Sequence, residues 1–190
     1  MKTNRLEAFS DGVLAIIITI MVLELKTPEE KSLDTLIPLV PHFISYMVSF
    51  IYLGIYWNNH HHLFQITEKV NGKILWANLH LLFWLSLIPF VTSWVAEHYS
   101  DTVPVAAYGI VLFMSAIAYF ILQKIIISHH GEEFVLTKAI GKDWKGKLSV
   151  GIYFLGIILS FFNSWFAIAC YLLVAVMWMI PDRRIEEHVS

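Results

Sequence analysis

Phe9-Ser10-Asp11-Gly12-Val13-Leu14-Ala15-Ile16-Ile17-Ile18-Thr19-Ile20 decides what kind of protein this is. After the aspartate, the run carries nothing more polar than one threonine hydroxyl. A helix crosses about 30 Å of hydrocarbon with roughly 20 predominantly apolar residues, and a span over residues 5–26 meets that need. Working outward, similar runs cover 36–63, 74–98, 103–127, 147–163 and 165–181. The chain is 57% hydrophobic and only 15% charged, against about a quarter charged in soluble domains, and its mean hydropathy is +0.65. The expected fold is all-α: a polytopic membrane protein with six transmembrane helices in one domain over residues 1–190.

Local signals set the joints. Pro38 and Pro41 suit the start of the second span, where a helix tolerates a missing N–H. Asn163 and Ser164 have turn chemistry. Reading 147–181 as one helix would require about 50 Å of hydrocarbon, so a tight hairpin is expected there. Pro89 should kink the third span by removing a ladder bond. The longest polar connection is 128–146, and no internal repeat appears. The first run lacks a signal-peptide cleavage pattern and is expected to be retained as a span. A single cysteine, Cys170, rules out a disulfide framework within the chain.

Lysines and arginines give the orientation. With a cytoplasmic N-terminus, that side collects Lys2, Arg5, Lys69, Lys73, Lys124, Lys138, Lys142, Lys145, Lys147, Arg183 and Arg184. The other side keeps Lys26 and Lys31. Trp76, Trp144 and Trp178 fall near cytoplasmic ends and Trp94 and Trp165 near outer ends, as an aromatic belt would place them. Both termini are therefore expected in the cytoplasm, in a multi-pass protein of the cell (inner) membrane. Membrane lipid is the expected surrounding partner; no nucleic-acid partner and no cofactor are expected.

Ionisable groups within spans are expensive and usually functional. Arg5, Glu7, Ser10 and Asp11 open the first span. Asp11 lies about two turns into the helix and needs a partner; a carboxylate satisfied by neighbouring helices and a proton or cation ligand are both open. At about 100° per residue, Phe9, Gly12, Val13, Ile16, Thr19, Ile20 and Leu23 share one stripe, with Asp11 about 140° from Ile16. The two cannot face the same cavity, and Asp11 is expected on a packed face. In an isolated sequence such an aliphatic stripe more often faces lipid or core than a pore.

Trp57-Asn58-Asn59-His60-His61-His62 closes the second span. Three adjacent histidines suggest metal, but ligands on one helix face come at i, i+3 or i+4, so solvated or interfacial histidines are expected. Asn78 and His80 open the third span at the same depth and can join Asp11, Trp57 and His60 in a polar knot. Glu24 and Glu97 mark outer ends.

Arg5-Leu6-Glu7-Ala8-Phe9-Ser10-Asp11 fits R-x-x-x-F-S-D, which resembles the signature of the transmembrane protein 175 family of endosomal and lysosomal potassium channels, in its bacterial single-repeat branch. Trp57 with His60-His61, Asn78, and Ser86-Leu87-Ile88-Pro89-Phe90 extend the resemblance over essentially the whole chain. It implies a homotetramer around a central pore lined by the first helix, potassium as permeant ion, and no enzyme activity. It implies a hydrophobic constriction at Ile16 with further apolar rings at Ile20 and Leu23, and a selectivity ring of hydroxyls at Thr19. It implies a structural polar motif of Arg5, Phe9, Ser10, Asp11, Trp57, His60 and Asn78, with His60 and His61 both open for the histidine role.

No T-V-G-Y-G loop is present, so a carbonyl-cage filter is not expected and selectivity must come from helix side chains. Two rivals remain. A proton-coupled secondary transporter using Asp11 would predict discontinuous helices and inverted repeats, neither legible in the sequence. An intramembrane metalloenzyme on His60, His61, His62 and His80 lacks ligand spacing and a nucleophile.

Overall fold

The computed structural model describes residues 3–28, 32–67, 69–130 and 144–179. Among them the chain is helical, without a strand. The elements are α1 (Thr3–Leu23), a 3-10 segment (Leu33–Leu39) leading into α2 (Val40–Gln65), α3 (Gly72–Ser86), α4 (Ile88–Glu97), α5 (Thr102–His130), α6 (Trp144–Ser160) and α7 (Ser164–Met179). With α3 and α4 counted as one broken rod, these make six rods running up and down. Thr3–Leu23, Leu33–Gln65, Gly72–Glu97 and Thr102–His130 are each long and apolar enough to cross a bilayer. α6 and α7, of 17 and 16 residues, reach about 25 Å at 1.5 Å per residue, a mismatch that tilt of neighbours and local thinning absorb.

The joints have local causes. Pro41 sits in the first turn of α2, where its missing N–H leaves no bond unmade. Asn71 caps α3 by accepting from the Ile74 N–H at 3.0 Å. Asn163 takes the Trp165 N–H at 2.9 Å, closing the tight α6–α7 hairpin just after Phe161 and Phe162. Ser164 donates to the Ser100 carbonyl at 3.0 Å, tying that turn to the α4–α5 connection.

Two expectations change. The third span is broken rather than only kinked: α3 stops at Ser86 and α4 restarts at Ile88 with Pro89 in its first turn. Proline lacks the N–H that would continue the ladder and its ring crowds the preceding turn. Leu87 between them keeps helical angles (φ −84°, ψ −11°), so the rod bends without unwinding. The second change concerns Asp11. The packed face of α1 is Leu6, Ser10, Leu14, Ile17 and Met21, and Asp11 is half-buried at its edge. A helix surface has three sectors at this depth, and the two-sided division of stripe against acid is too coarse.

The core lies between these rods. α1 packs on α2, α3 and α4, while α5 packs on α3, α4, α6 and α7. Among described lysines, Lys69, Lys73, Lys124, Lys145 and Lys147 gather at one end of the rods and Lys26 stands at the other, 3.7 Å from Glu97. Lys2, Lys31, Lys138, Lys142, Arg183 and Arg184 lie outside the described residues, as do 131–143 of the long connection and 180–181 of the sixth expected span.

Candidate functional site: the first helix and its anchors

From Val13 to Val22, α1 is a row of mostly β-branched side chains that would disfavour a helix in water but must form one in lipid, where every backbone group needs an internal partner. Its position is fixed from α2 and α3 by polar contacts at one end. Thr3 donates to the Thr67 carbonyl at 2.6 Å. Glu7 Oε1 meets His61 Nδ1 at 2.7 Å, and the Trp57 indole N–H donates to Asp11 at 3.0 Å. The carboxylates are four residues apart on α1 and their partners four apart on α2, as two antiparallel helices in register require. The Trp57 and His61 rings stack, 6.1 Å apart at 16°, so the two partners brace each other.

One turn around the helix lies a fully buried network. Ser10 donates to the Leu6 carbonyl at 2.9 Å, so its oxygen is free to accept the Asn78 amide, also at 2.9 Å. The Asn78 carbonyl oxygen is 2.8 Å from His60 Nε2, which must donate. Proton direction is thus fixed along His60, Asn78, Ser10 and Leu6, and the His60 tautomer with it. His60 Nδ1 is left without a hydrogen-bond partner, and the His60 and Phe64 ring centroids lie 4.5 Å apart in a tilted contact.

The sequence-derived residues therefore separate. Ser10, His60 and Asn78 meet in one network; Asp11 and Trp57 meet in another contact. His60 takes Asn78, and His61 takes Glu7, a residue the sequence marked without giving it a partner. The shared i, i+4 spacing of Glu7 and Asp11 against Trp57 and His61 was the signal for it. Arg5 and Phe9 are exposed, and Arg5 makes no hydrogen bond or ion pair among the described residues. His80 stays out of the knot, accepting from Trp84 at 3.0 Å. The three adjacent histidines diverge, and among the described residues no three His, Cys, Asp or Glu side chains converge on a metal position.

The other side of α1 is bare. Ile16 is 59% exposed, Ile20 42% and Leu23 80%, and Gly12 and Thr19 are exposed with them. Ile16 and Ile20 wall an open groove of about 740 Å³ shared with Pro89 and Phe90 of α4. The Thr19 hydroxyl donates to the Ile16 carbonyl at 2.8 Å. Its hydrogen is therefore turned to its own helix, leaving oxygen lone pairs outward.

Known proteins resemble this chain in sequence and fold. The family model described as endosomal/lysosomal potassium channel TMEM175 matches residues 5–89, from Arg5 through the proline of the broken rod. A protein of Chryseobacterium sp. (strain P1-3), described as a potassium channel, is 60% identical over 100% of this chain and 99% of its own. The chain belongs to the TMEM175 family. The crystal structure of a TMEM175 homologue from Chamaesiphon minutus, described as a lysosomal potassium-selective channel, matches with a TM-score of 0.83 at 28% identity, covering 95% of this chain and 97% of that one. TMEM175 of Homo sapiens, described as an endosomal/lysosomal proton channel, is 25% identical over 94% of this chain and 38% of its own.

Proposed function

We propose that this TMEM175-family chain is a potassium-preferring cation channel of the cell (inner) membrane, in which four copies set α1 around a central pore. The observation that carries this reading is the division of α1. One side is anchored by four side-chain contacts to α2, α3 and the residue Thr67 just after α2, while the stripe from Phe9 through Ile16 to Leu23 is bare. The relatives from Chryseobacterium and Chamaesiphon, described as potassium channels, support the permeant ion.

Ile16 then forms the constriction. Four isoleucine side chains meeting at an axis leave an apolar ring too narrow to stay wet, and a cation stripped of water there has no compensating ligand. Ile20 and Leu23, about 6 and 10 Å further along the helix, extend the apolar wall. Thr19, about 4.5 Å from Ile16, presents hydroxyl oxygens whose hydrogens point away, so they can replace part of a cation's water. Such a ring discriminates less sharply than a cage of backbone carbonyls. Opening requires only a small outward movement or rotation of α1. The anchors at Glu7, Ser10 and Asp11 set the pivot for it.

Potassium efflux from liposomes holding the purified chain, compared with sodium and caesium, tests the activity. Ile16→Asn should raise single-channel current severalfold by wetting the ring, and an unchanged current would remove Ile16 as the constriction. Reversal potentials that follow the potassium gradient alone fit this reading. Obligatory coupling to protons would favour a transporter using Asp11.

A further inference from the structure

We propose that the groove between α3 and α5 binds one anionic phospholipid of the leaflet at that end, with the phosphate at Lys73 and an acyl chain along Ile121 and Ile125. The groove holds about 790 Å³ and is open to the outside of the bundle. Its two ends differ in chemistry. At the α3 start lie Lys73, Gly72 and Asn71, with the exposed Lys69 just before them. A Cβ built on Gly72 meets nothing within 4 Å, so the backbone there is open to a bulky headgroup. Lys124 of α5 is turned away from the groove, its ammonium 4.6 Å from the Phe120 ring centroid, so Lys73 is the cation in the lining. Among the described residues no carboxylate lines the groove.

Deeper in, the lining is Trp76, Ala77, Ile121, Ile125 and His80, the last with its Nε2 already taken by the Trp84 indole at 3.0 Å. Trp76 is 75% exposed and stands one turn inside Lys73, at the depth where indoles meet headgroups. A cationic rim above an apolar floor, with an indole between, complements a phosphate, a glycerol backbone and a chain in that order. A zwitterionic lipid offers the same chain but a phosphate already neutralised by its own cation. Each lysine near an anionic surface favours it about fivefold, which is where the selection lies.

The experiment uses the full chain in vesicles of phosphatidylcholine, with either brominated phosphatidylglycerol or brominated phosphatidylcholine added at equal mole fraction. Bromine quenches indoles it touches, and the difference between the parent and Trp76→Phe isolates the Trp76 signal. Quenching of that signal should be about fivefold more sensitive to brominated phosphatidylglycerol, and Lys73→Gln should erase the preference. Lys73 and Trp76 are exposed, so far-UV circular dichroism should be unchanged in both variants. Equal quenching by both lipids would overturn the proposal, as would a preference that survives Lys73→Gln. No quenching by either lipid would overturn it too, and would mean that a second copy covers the groove.

Discussion

Asn78 joins a donor on α2 to an acceptor on α1. Its oxygen takes the His60 N–H at 2.8 Å and its amide gives to Ser10 at 2.9 Å, with Asn78 and Ser10 both fully buried. Asn78→Ala therefore strands a ring N–H in an apolar interior and removes the link between α1 and α3. The cost should be about 1–2 kcal/mol, or a Tm lower by about 3 °C or more, in a thermal melt of detergent-solubilised protein. Asn58→Ala, at an exposed position of α2, is the control, and equal melting of the two variants would sink the argument. The same pair of contacts explains why Ser10 and not Asp11 is the buried member of the motif. A serine donating to the carbonyl four residues back is already half satisfied, and so is cheaper to bury than a carboxylate, which keeps its half-exposed edge and one indole donor.

At the scale of elements, α5, α6 and α7 hold more than ordinary packing. Tyr171 of α7 lies against two glycines, and a Cβ at Gly109 of α5 would come 2.0 Å from its hydroxyl oxygen. A Cβ at Gly156 of α6 would come 2.5 Å from its ring. The hydroxyl reaches the Val105 carbonyl at 3.3 Å, so the ring bolts three helices together at one level. Gly109→Ala should cost about 1–3 kcal/mol through overpacking. Gly151→Ala, where nothing lies within 4 Å, should melt at or above the parent temperature because alanine is the better helix former; identical melting of the two would refute the close-packing account. The sequence could give the rods but not this bolt. Apolar length, Pro41, Pro89 and Asn163 are local signals, each readable within a turn or two. Tyr171 and Gly109 meet only after the chain has folded back, and glycine is common in membrane helices whether or not it is packed. The hydroxyl relay from Tyr108 to Ser49 (2.9 Å) and from Ser49 to Thr92 (2.7 Å) was hidden for the same reason. Ser10, Asp11 and Asn78 were legible because polar groups in an apolar run declare themselves one at a time, although their pairing did not. The break at Leu87 was visible as a proline and misjudged only in degree.

For the whole molecule, the two sets of contacts divide the labour. The polar anchors hold α1 against α2 and α3 at the lysine-rich end, and at the other end Lys26 and Glu97 leave a looser, exposed pair. Leu14, Ile17 and Met21 stay buried along the length of α1, so any swing of the bare stripe slides this apolar face over its neighbours while the polar anchors hold one end. In the proposed channel that exposed apolar stripe faces its own symmetry mates, since a closed ring of identical copies brings the same residue to one axis. The prediction is a proximity pattern between copies. In a Cys170→Ser background, Ile20→Cys should form disulfide-linked dimers under mild oxidation in membranes. Leu14→Cys should not, because Leu14 is 1% exposed and turned into its own bundle. Val22→Cys is the sterner control: it is 46% exposed yet lies about 160° around the helix from Ile20, so it should stay monomeric if the stripe alone faces the axis. Cross-linking at all three positions would indicate random collision in the bilayer, and cross-linking at Val22 alone would place the axis on the wrong side of α1.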